Sequence, residues 1–175
     1  MRKRDGWTQV MTAVVLGLRQ IEDDVAERKT QYTAHANDAA LNLERSGDMV
    51  YSVDPMSEVA AGTYSAKHQE VVGTRQTFEQ MLAERGPIQT GGITIGHVVV
   101  YRRLDDDTTH HVILAPGYIG EEFEIPGRPP RKVMLVSEVC PLGASLIGRN
   151  AGDVISMEVQ SKTIRATIEQ VLDRP

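Results

Sequence analysis

The chain has 175 residues, of which 41% are hydrophobic and only 5% aromatic, and its formal net charge is −5. This apolar fraction is enough for a folded core, the scarcity of aromatics favours long helices over an aromatic-rich sandwich, and the negative charge excludes a general nucleic-acid coat. Cys140 is the one cysteine, so we expect no internal disulfide and a reducing, cytoplasmic compartment. The apolar stretch "VMTAVVLGL" is too short to cross a bilayer and Arg19 ends it, so no membrane partner is expected.

A first long helix is predicted from Trp7 to about Arg45, a stretch that contains no proline. Its apolar residues recur at alternating steps of four and three, as in a heptad repeat. They are Trp7, Met11, Val14, Leu18, Ile21 and Val25. The repeat turns polar at Arg28 and apolar again at Tyr32, and then shifts by one step, as at a stutter. The shifted positions are Ala36, Ala39 and Leu43.

The segment "SGDMVYSVDP" interrupts this pattern, and a second helix is predicted from Pro55 to about Glu84, with Gly86 just beyond its end. Its apolar stripe is weaker and consists of Tyr64, Val71, Phe78 and Met81. Two long helices joined by a short turn bury their stripes by folding back on each other. Residues 1–88 therefore predict an antiparallel coiled-coil hairpin with arms roughly 45–55 Å long. A piece of a larger helical bundle is the alternative.

After Gly91 the pattern changes to short runs rich in β-branched residues, separated by clusters of glycine and proline. The runs are "ITIGHVVVYRR", "HHVILAP", "KVMLVSEV", "VISMEV" and "TIRATIEQVL". They predict a compact β-rich domain over residues 89–175. The segment "PLGASLIG" interrupts the strands with one or two helical turns, and we expect Leu146 and Ile147 to plug the sheet. "NAGD" then supplies a tight turn into the next strand.

The stretch "SEVCPLGASLIGRNAGDVISMEVQSKTIRATIEQV" resembles the C-terminal domain of the Gre family of bacterial transcription elongation factors (GreA/GreB-like). In that family a strand ends in a serine-proline step, followed by a short helix ending in A-L-I-G, a basic pair, A-G-D or V-G-D, and two closing strands. Here Pro141 is followed by "ASLIGR", "AGDVISMEV" and "TIRATIEQVL". The resemblance implies an α+β fold, with the coiled-coil hairpin first and a small FKBP-like β domain second.

The resemblance also implies a partner, bacterial RNA polymerase. It places the polymerase contact at Cys140, Pro141 and Leu142, while the coiled coil enters the polymerase secondary channel. Acidic residues at the hairpin tip then help to hold the second magnesium ion where the end of backtracked RNA is cleaved. The protein would be no enzyme by itself and would have no cofactor of its own, because Mg²⁺ is held jointly with the polymerase. A monomer is expected.

The family tip reads roughly G-D-L-S-E-N-A-E-Y, and the corresponding stretch here is "SGDMVYSVDPMSEVAAGTY". "DPMSE" resembles D-L-S-E with one residue inserted, which makes Asp54 and Glu58 the candidate metal ligands within the polymerase complex and Asp48 the reserve. Residues four apart can share a helix face. The same residues also suit an ordinary helix start, with Asp54 as N-cap, Pro55 at the first position and Glu58 complementing the helix dipole. Both roles can hold together.

Other polar groups give weaker signals. The histidines have no zinc-site spacing; they are His35, His68, His97, His110 and His111. The acidic run "LDDDTT" lacks the EF-hand pattern and predicts a hairpin turn. Basic residues along the helices could steer RNA or simply be solvated; they are Arg28, Lys29, Lys67 and Arg75.

Three functions are compatible with this sequence. The first is a Gre-type factor that stimulates transcript cleavage. The second is a polymerase-binding regulator that plugs the channel without cleavage, which the altered tip favours. The third, an FKBP-like prolyl isomerase with a helical arm, is disfavoured because few aromatic residues could line a proline pocket. These are Tyr101, Tyr118 and Phe123.

Overall fold

The computed structural model describes residues 4–46, 55–84, 86, 88, 91–117, 120–126 and 131–174, without the side chains of 4–5, 36, 38–46 and 55–58. The elements in chain order are α1 (Arg4–Ser46), α2 (Pro55–Ala83), β1 (Val98–Arg103), β2 (Thr109–Ala115), β3 (Glu122–Ile125), β4 (Arg131–Ser137), α3 (Pro141–Leu146), β5 (Val154–Val159) and β6 (Lys162–Leu172). The chain is an N-terminal helical hairpin followed by a mixed six-stranded sheet, which confirms the predicted fold class.

The two long helices are antiparallel. Segment 47–54, which joins them, reaches at most roughly 29 Å when fully extended, whereas α2 has 29 residues and is therefore roughly 44 Å long. Residues 18–72 form one compact unit. Within it the rings of Tyr32 and Tyr64 stack with their centroids 5.3 Å apart, so the helices lie side by side. Among the described residues, no helix has the length and apolar character that crossing a membrane requires.

The heptad pattern predicted the buried side of α1 well. Trp7, Met11, Val14 and Leu18 are at most 1% exposed, and Val25 is 5% exposed. Ile21 is only half-buried, which fits a narrow seam between two helices rather than the interior of a bundle.

The stripe of α2 contains a residue that the sequence analysis missed. Val71 and Phe78 are fully buried, as predicted, and Thr74 between them is only 2% exposed. Positions 71, 74 and 78 continue the three-four spacing of the heptad, so Thr74 occupies a core position. Its hydroxyl is the reason that a search for apolar residues passes over it.

The sheet has the strand order β3-β4-β2-β1-β6-β5. β2 and β4 are parallel, and every other neighbouring pair is antiparallel. The expected hairpin of β1 and β2 is present, with Val98 opposite Ile113 and Arg102 opposite Thr109. β3 was not predicted, because it is short and lies among turn residues. Phe123 alternates with exposed glutamates in β3, which is the pattern of an edge strand with one buried face.

One face of the sheet, together with α3, encloses a hydrophobic core. Its buried members are Ile93, Val99, Tyr101, Val112, Leu114, Val136, Leu146, Ile155, Met157, Ala166 and Ile168. The strands supply most of these residues through their alternation. α3 adds Leu146, which has no exposed surface, so the expectation that Leu146 plugs the sheet is confirmed.

The N-terminal end of α1 and the C-terminal end of α2 belong to the same compact unit as the sheet. This unit consists of residues 1–17 and 73–175. The indole N–H of Trp7 donates to the carbonyl oxygen of Gly96 at 2.9 Å in a buried hydrogen bond. The Arg174 guanidinium donates to the carbonyls of Met81 and Gly86, so the Met81 carbonyl in the last turn of α2 has a partner. The domain boundary at residue 88 stays a prediction from sequence. The compact unit that contains the sheet also includes residues 1–17 and 73–88, which precede this boundary.

Candidate functional site

Residues 137–149, which we call the corner segment, form a rigid turn between β4 and β5. The backbone N–H of Cys140 donates to the carbonyl of Ser137 at 3.2 Å. The Cys140 Sγ then accepts from the Gly143 N–H at 3.3 Å and caps α3, whose first residue is Pro141. Ser, Thr, Asp and Asn are the usual N-caps, and here a thiol takes that place. Proline at the first helical position needs no N–H partner and has a suitable φ.

The close packing of Gly143 holds this corner against β4. A Cβ atom at residue 143 would collide with the carbonyl of Ser137. The glycine is therefore required by the approach of α3 to the strand rather than by its φ angle. The Ser145 hydroxyl also donates to the carbonyl of Leu142 at 2.7 Å. With its cap and this contact, the segment has little freedom to rearrange.

The corner segment exposes different side chains from those expected. Pro141 is exposed, as predicted, but Cys140 and Leu142 are partly buried and pack against the core. Contact of Leu142 with a partner stays a prediction from sequence. Val139, which the sequence analysis did not single out, is 84% exposed. Its signal in the sequence is an isolated apolar residue just beyond the last residue of β4, in a turn with no core to face.

The expectation that Ile147 plugs the sheet is wrong, because its side chain is 39% exposed. The chain leaves the helical conformation at this residue, with φ −52° and ψ 131°. The side chain therefore leaves the buried face of α3, whereas Leu146 one residue earlier stays on it.

The loop after α3 is bonded to the chain just before β1. The Ile93 N–H donates to the Arg149 carbonyl at 2.8 Å, and the Gly148 N–H donates to the Ile93 carbonyl at 2.9 Å. The predicted "NAGD" turn is confirmed: the Asn150 N–H donates to Asp153 Oδ2 at 2.9 Å. These bonds anchor the C-terminal side of the corner segment.

The acidic tip lies largely outside the described residues. Asp48 and Asp54 are not among them, and Glu58 falls in the first turn of α2 but its side chain is not described. The start of α2 at Pro55 agrees with the predicted helix start. Convergence of the carboxylates on a metal ion stays a prediction.

Two of the basic residues of the hairpin, Arg28 and Arg75, have side-chain partners within it. A hydrogen bond from Arg28 to Tyr64 raises the pKa of the guanidinium above its usual range. Arg75 binds Glu79 at 2.6 Å within α2. Arg28 therefore belongs to a polar and aromatic cluster with Tyr32 and Tyr64, at the point where the heptad repeat becomes polar.

The acidic run between β1 and β2 is a hairpin turn, as predicted. Arg103 pairs with Asp105 and Asp106, and the hydrogen bond from Arg103 lowers the pKa of Asp105. The Thr108 N–H donates to Asp106 Oδ1 at 3.0 Å. Within the described ranges, no group of three or more histidine, cysteine or acidic residues could hold a metal ion.

His97 is a structural residue. It is only 4% exposed, its Nδ1 accepts from the Thr94 N–H at 3.0 Å, and its Nε2 lies 3.7 Å from Asp173 Oδ1. The aromatic residues that could line a proline pocket are buried where they are described: Tyr101 is 4% and Phe123 7% exposed. Tyr118 lies outside the described residues.

No protein-family model matches the chain, and no curated protein sequence matches it either. Among solved structures, it is similar to the GreA factor homolog 1 (Gfh1) of Thermus thermophilus, with 18% identity over 90% of this chain and 93% of that chain and a TM-score of 0.35. Thermus aquaticus Gfh1 is 19% identical over 91% and 94%, with a TM-score of 0.36. The transcription elongation factor GreA/GreB of Nitrosomonas europaea is 21% identical over 65% and 88%, with a TM-score of 0.33. Similarity at this level establishes neither an activity nor a partner, so function is inferred from the chain's own residues.

Proposed function

We propose that the protein is a cytoplasmic, monomeric factor that binds bacterial RNA polymerase, inserts its helical hairpin into the secondary channel and stimulates cleavage of backtracked RNA. The observation that carries this proposal is the corner segment. Its sequence resembles the Gre docking loop, and it presents Val139 and Pro141 to solvent on a capped backbone. The hairpin provides an arm roughly 44 Å long, taking α2 at 1.5 Å per residue.

The corner segment suits docking because it is ordered before a partner arrives. Its cap, its proline and the contact of Gly143 with Ser137 restrict the backbone. Binding through a rigid surface loses little conformational entropy. An exposed valine beside an exposed proline supplies apolar area at the centre of such a contact, and removing apolar area from water stabilises association.

Docking is tested with Val139→Asp, because this side chain is exposed and the substitution leaves the core intact. Val159→Asp, at a valine that is 40% exposed in β5, is the matched control. We expect Val139→Asp to weaken binding to polymerase about tenfold or more, with unchanged thermal unfolding, and Val159→Asp to bind normally. Equal binding by wild type and Val139→Asp would remove the corner segment from the interface.

The chemistry is proposed for the hairpin tip. Asp54 and Glu58, with Asp48 in reserve, would complete the coordination of the second Mg²⁺ in the polymerase active site, since magnesium prefers carboxylate oxygens. Two metal ions held together stabilise the attacking and leaving oxygens of phosphodiester hydrolysis. The protein would thus lend ligands to another active site, without being an enzyme itself.

The tip assignment is tested by RNA cleavage in stalled, backtracked complexes over a magnesium series. Asp54→Asn is the sharpest variant, because asparagine is as good an N-cap as aspartate and only the charge is lost. A metal role predicts near-complete loss of cleavage, partly restored at high Mg²⁺ by mass action, with binding retained. A pure capping role predicts full activity. Glu58→Gln and Asp48→Asn are measured alongside.

A second candidate function is favoured by the departure of the tip from the family pattern, where "VAA" follows Glu58 in place of the asparagine and acidic residue. In this alternative the protein plugs the channel and inhibits or modulates the polymerase without cleavage. The same assay separates the two. Wild-type protein that fails to cleave, yet competes with a cleavage factor for the channel, would replace the first function by the second.

A further inference from the structure

The two parallel strands of the sheet diverge at their N-terminal ends. The β2–β4 ladder begins only at Val112 opposite Met134 and continues to Ala115 opposite Ser137. Before that point β2 pairs with β1 and β4 pairs with β3. Residues 109–111 and 131–133 thus face each other across a cleft instead of forming a ladder.

This cleft has a volume of about 350 Å³. Its lining consists of Thr109, His110, His111, Glu122, Arg131, Lys132 and Met134. Pairing of adjacent strand residues places the side chains of His111 and Arg131 on one face of the sheet and those of Lys132 and Glu122 on the other, because side chains alternate along each strand.

The charges of the cleft are unequally compensated. Lys132 lies 3.2 Å from Glu122, and Glu124 is its direct partner across the β3–β4 ladder. The charge on Lys132 is therefore neutralised locally. Arg131 is exposed, and among the residues that the structure describes it has no ion-pair partner. Among the described residues, the Arg131 guanidinium is therefore a positive charge of the cleft with which no carboxylate forms an ion pair.

The positive charge of Arg131 acts on the imidazole of His111. Its pKa is lowered, first by partial burial and then by the positive charges of Arg131 and His110, while Glu169 acts in the opposite direction. Glu169 is itself bonded to Arg102 at 2.8 Å, which limits its effect. His110 is held by a ring stack on Tyr101. The site thus combines a guanidinium with an imidazole whose charged form is disfavoured.

We infer that the cleft between the diverging ends of β2 and β4 binds a phosphate group, with Arg131 and His111 as the principal contacts. A guanidinium presents paired donors that match phosphate oxygens. The hydroxyl of Thr109, which also lines the cleft, is a further donor. A phosphate monoester titrates near pH 6, so it can share a proton with a neighbouring imidazole near neutral pH. This inference is independent of polymerase binding.

The test uses the full-length protein and inorganic phosphate, added at constant ionic strength and followed by NMR of the histidine ring and arginine side-chain resonances. We expect saturable shifts at His111 and Arg131 and an upward shift of the His111 pKa when phosphate is bound. Arg131→Gln should weaken phosphate binding about tenfold or more. Arg149→Gln, which removes an exposed arginine elsewhere in the same compact unit, should leave it unchanged.

Four results would overturn the inference. The first three are the absence of saturable shifts, equal affinity in wild type and Arg131→Gln, and equal shifts with acetate, which would indicate a general anion effect. The fourth is an equal loss in both arginine variants, which would show that overall charge, rather than the cleft, attracts phosphate. Competition by adenosine monophosphate would identify a nucleotide as the source of the phosphate, and competition by an unphosphorylated single-stranded oligonucleotide would identify a nucleic-acid backbone. Binding of inorganic phosphate alone would identify a free-phosphate site.

Discussion

Replacing Trp7 by phenylalanine should destabilise the sheet, although Trp7 lies in the first turn of the first helix. The indole is 1% exposed and its N–H donates to the carbonyl of Gly96 at 2.9 Å. Phenylalanine cannot donate, and a buried carbonyl left without its partner costs about 1–3 kcal/mol. The smaller ring adds a cavity term of about 1 kcal/mol. We therefore expect a loss of about 2–4 kcal/mol, or roughly 5–15 °C in Tm for a protein of this size.

The assay is thermal and urea unfolding followed by far-UV circular dichroism, since the substitution removes the only tryptophan. Hydrogen exchange of peptides from β1 and β6 then locates the effect. Leu16→Ala, at an α1 residue that is 59% exposed, is the control and should change stability by no more than about 0.5 kcal/mol. Faster exchange confined to the helices, with β1 and β6 unaffected in Trp7→Phe, would refute the reasoning.

Two further predictions concern the sheet unit. Gly143→Ala should destabilise by at least about 1–3 kcal/mol, because its Cβ meets the Ser137 carbonyl. Gly73→Ala, whose Cβ meets nothing within 4 Å, should instead stabilise α2 by up to about 1 kcal/mol. Equal effects of the two substitutions on the free energy of unfolding, measured in denaturant melts, would contradict the close packing of Gly143. The pKa of His111 is lowered from its usual 6.5 in the folded state, so the unfolded chain takes up the proton first and stability falls as the pH drops below that value. His111→Gln should flatten this part of the pH–stability curve, and an unchanged slope would be evidence against the shift.

The sequence predicted the elements that depend on local patterns. The heptad of α1 implied the burial of Trp7, Met11 and Leu18, and the helix start at Pro55 followed from an aspartate-proline step. The β1–β2 hairpin followed from two β-branched runs around an acidic turn. These signals are local, because the 3.6-residue and two-residue periods specify which side of each element is apolar.

The corner segment was located by its motif, but its exposed side chains were not. Leu142 and Val139 are apolar residues three positions apart, and composition does not distinguish them. α3 packs against β4 through Gly143, which directs Leu142 toward the core and leaves Val139 in the preceding turn. The difference therefore depends on how the helix approaches the strand.

By itself, the sequence determined the helical hairpin, the β-rich domain that follows it and the position of the corner segment, since each is a repeating or punctuated pattern within one stretch of chain. The tertiary structure alone decided that Thr74 belongs to the core, that Ile147 does not, and that β2 and β4 pair in parallel but diverge at their N-terminal ends beside Arg131. The physical reason is that burial, strand order and cleft lining arise from residues far apart in sequence, and no local period records which of them will meet.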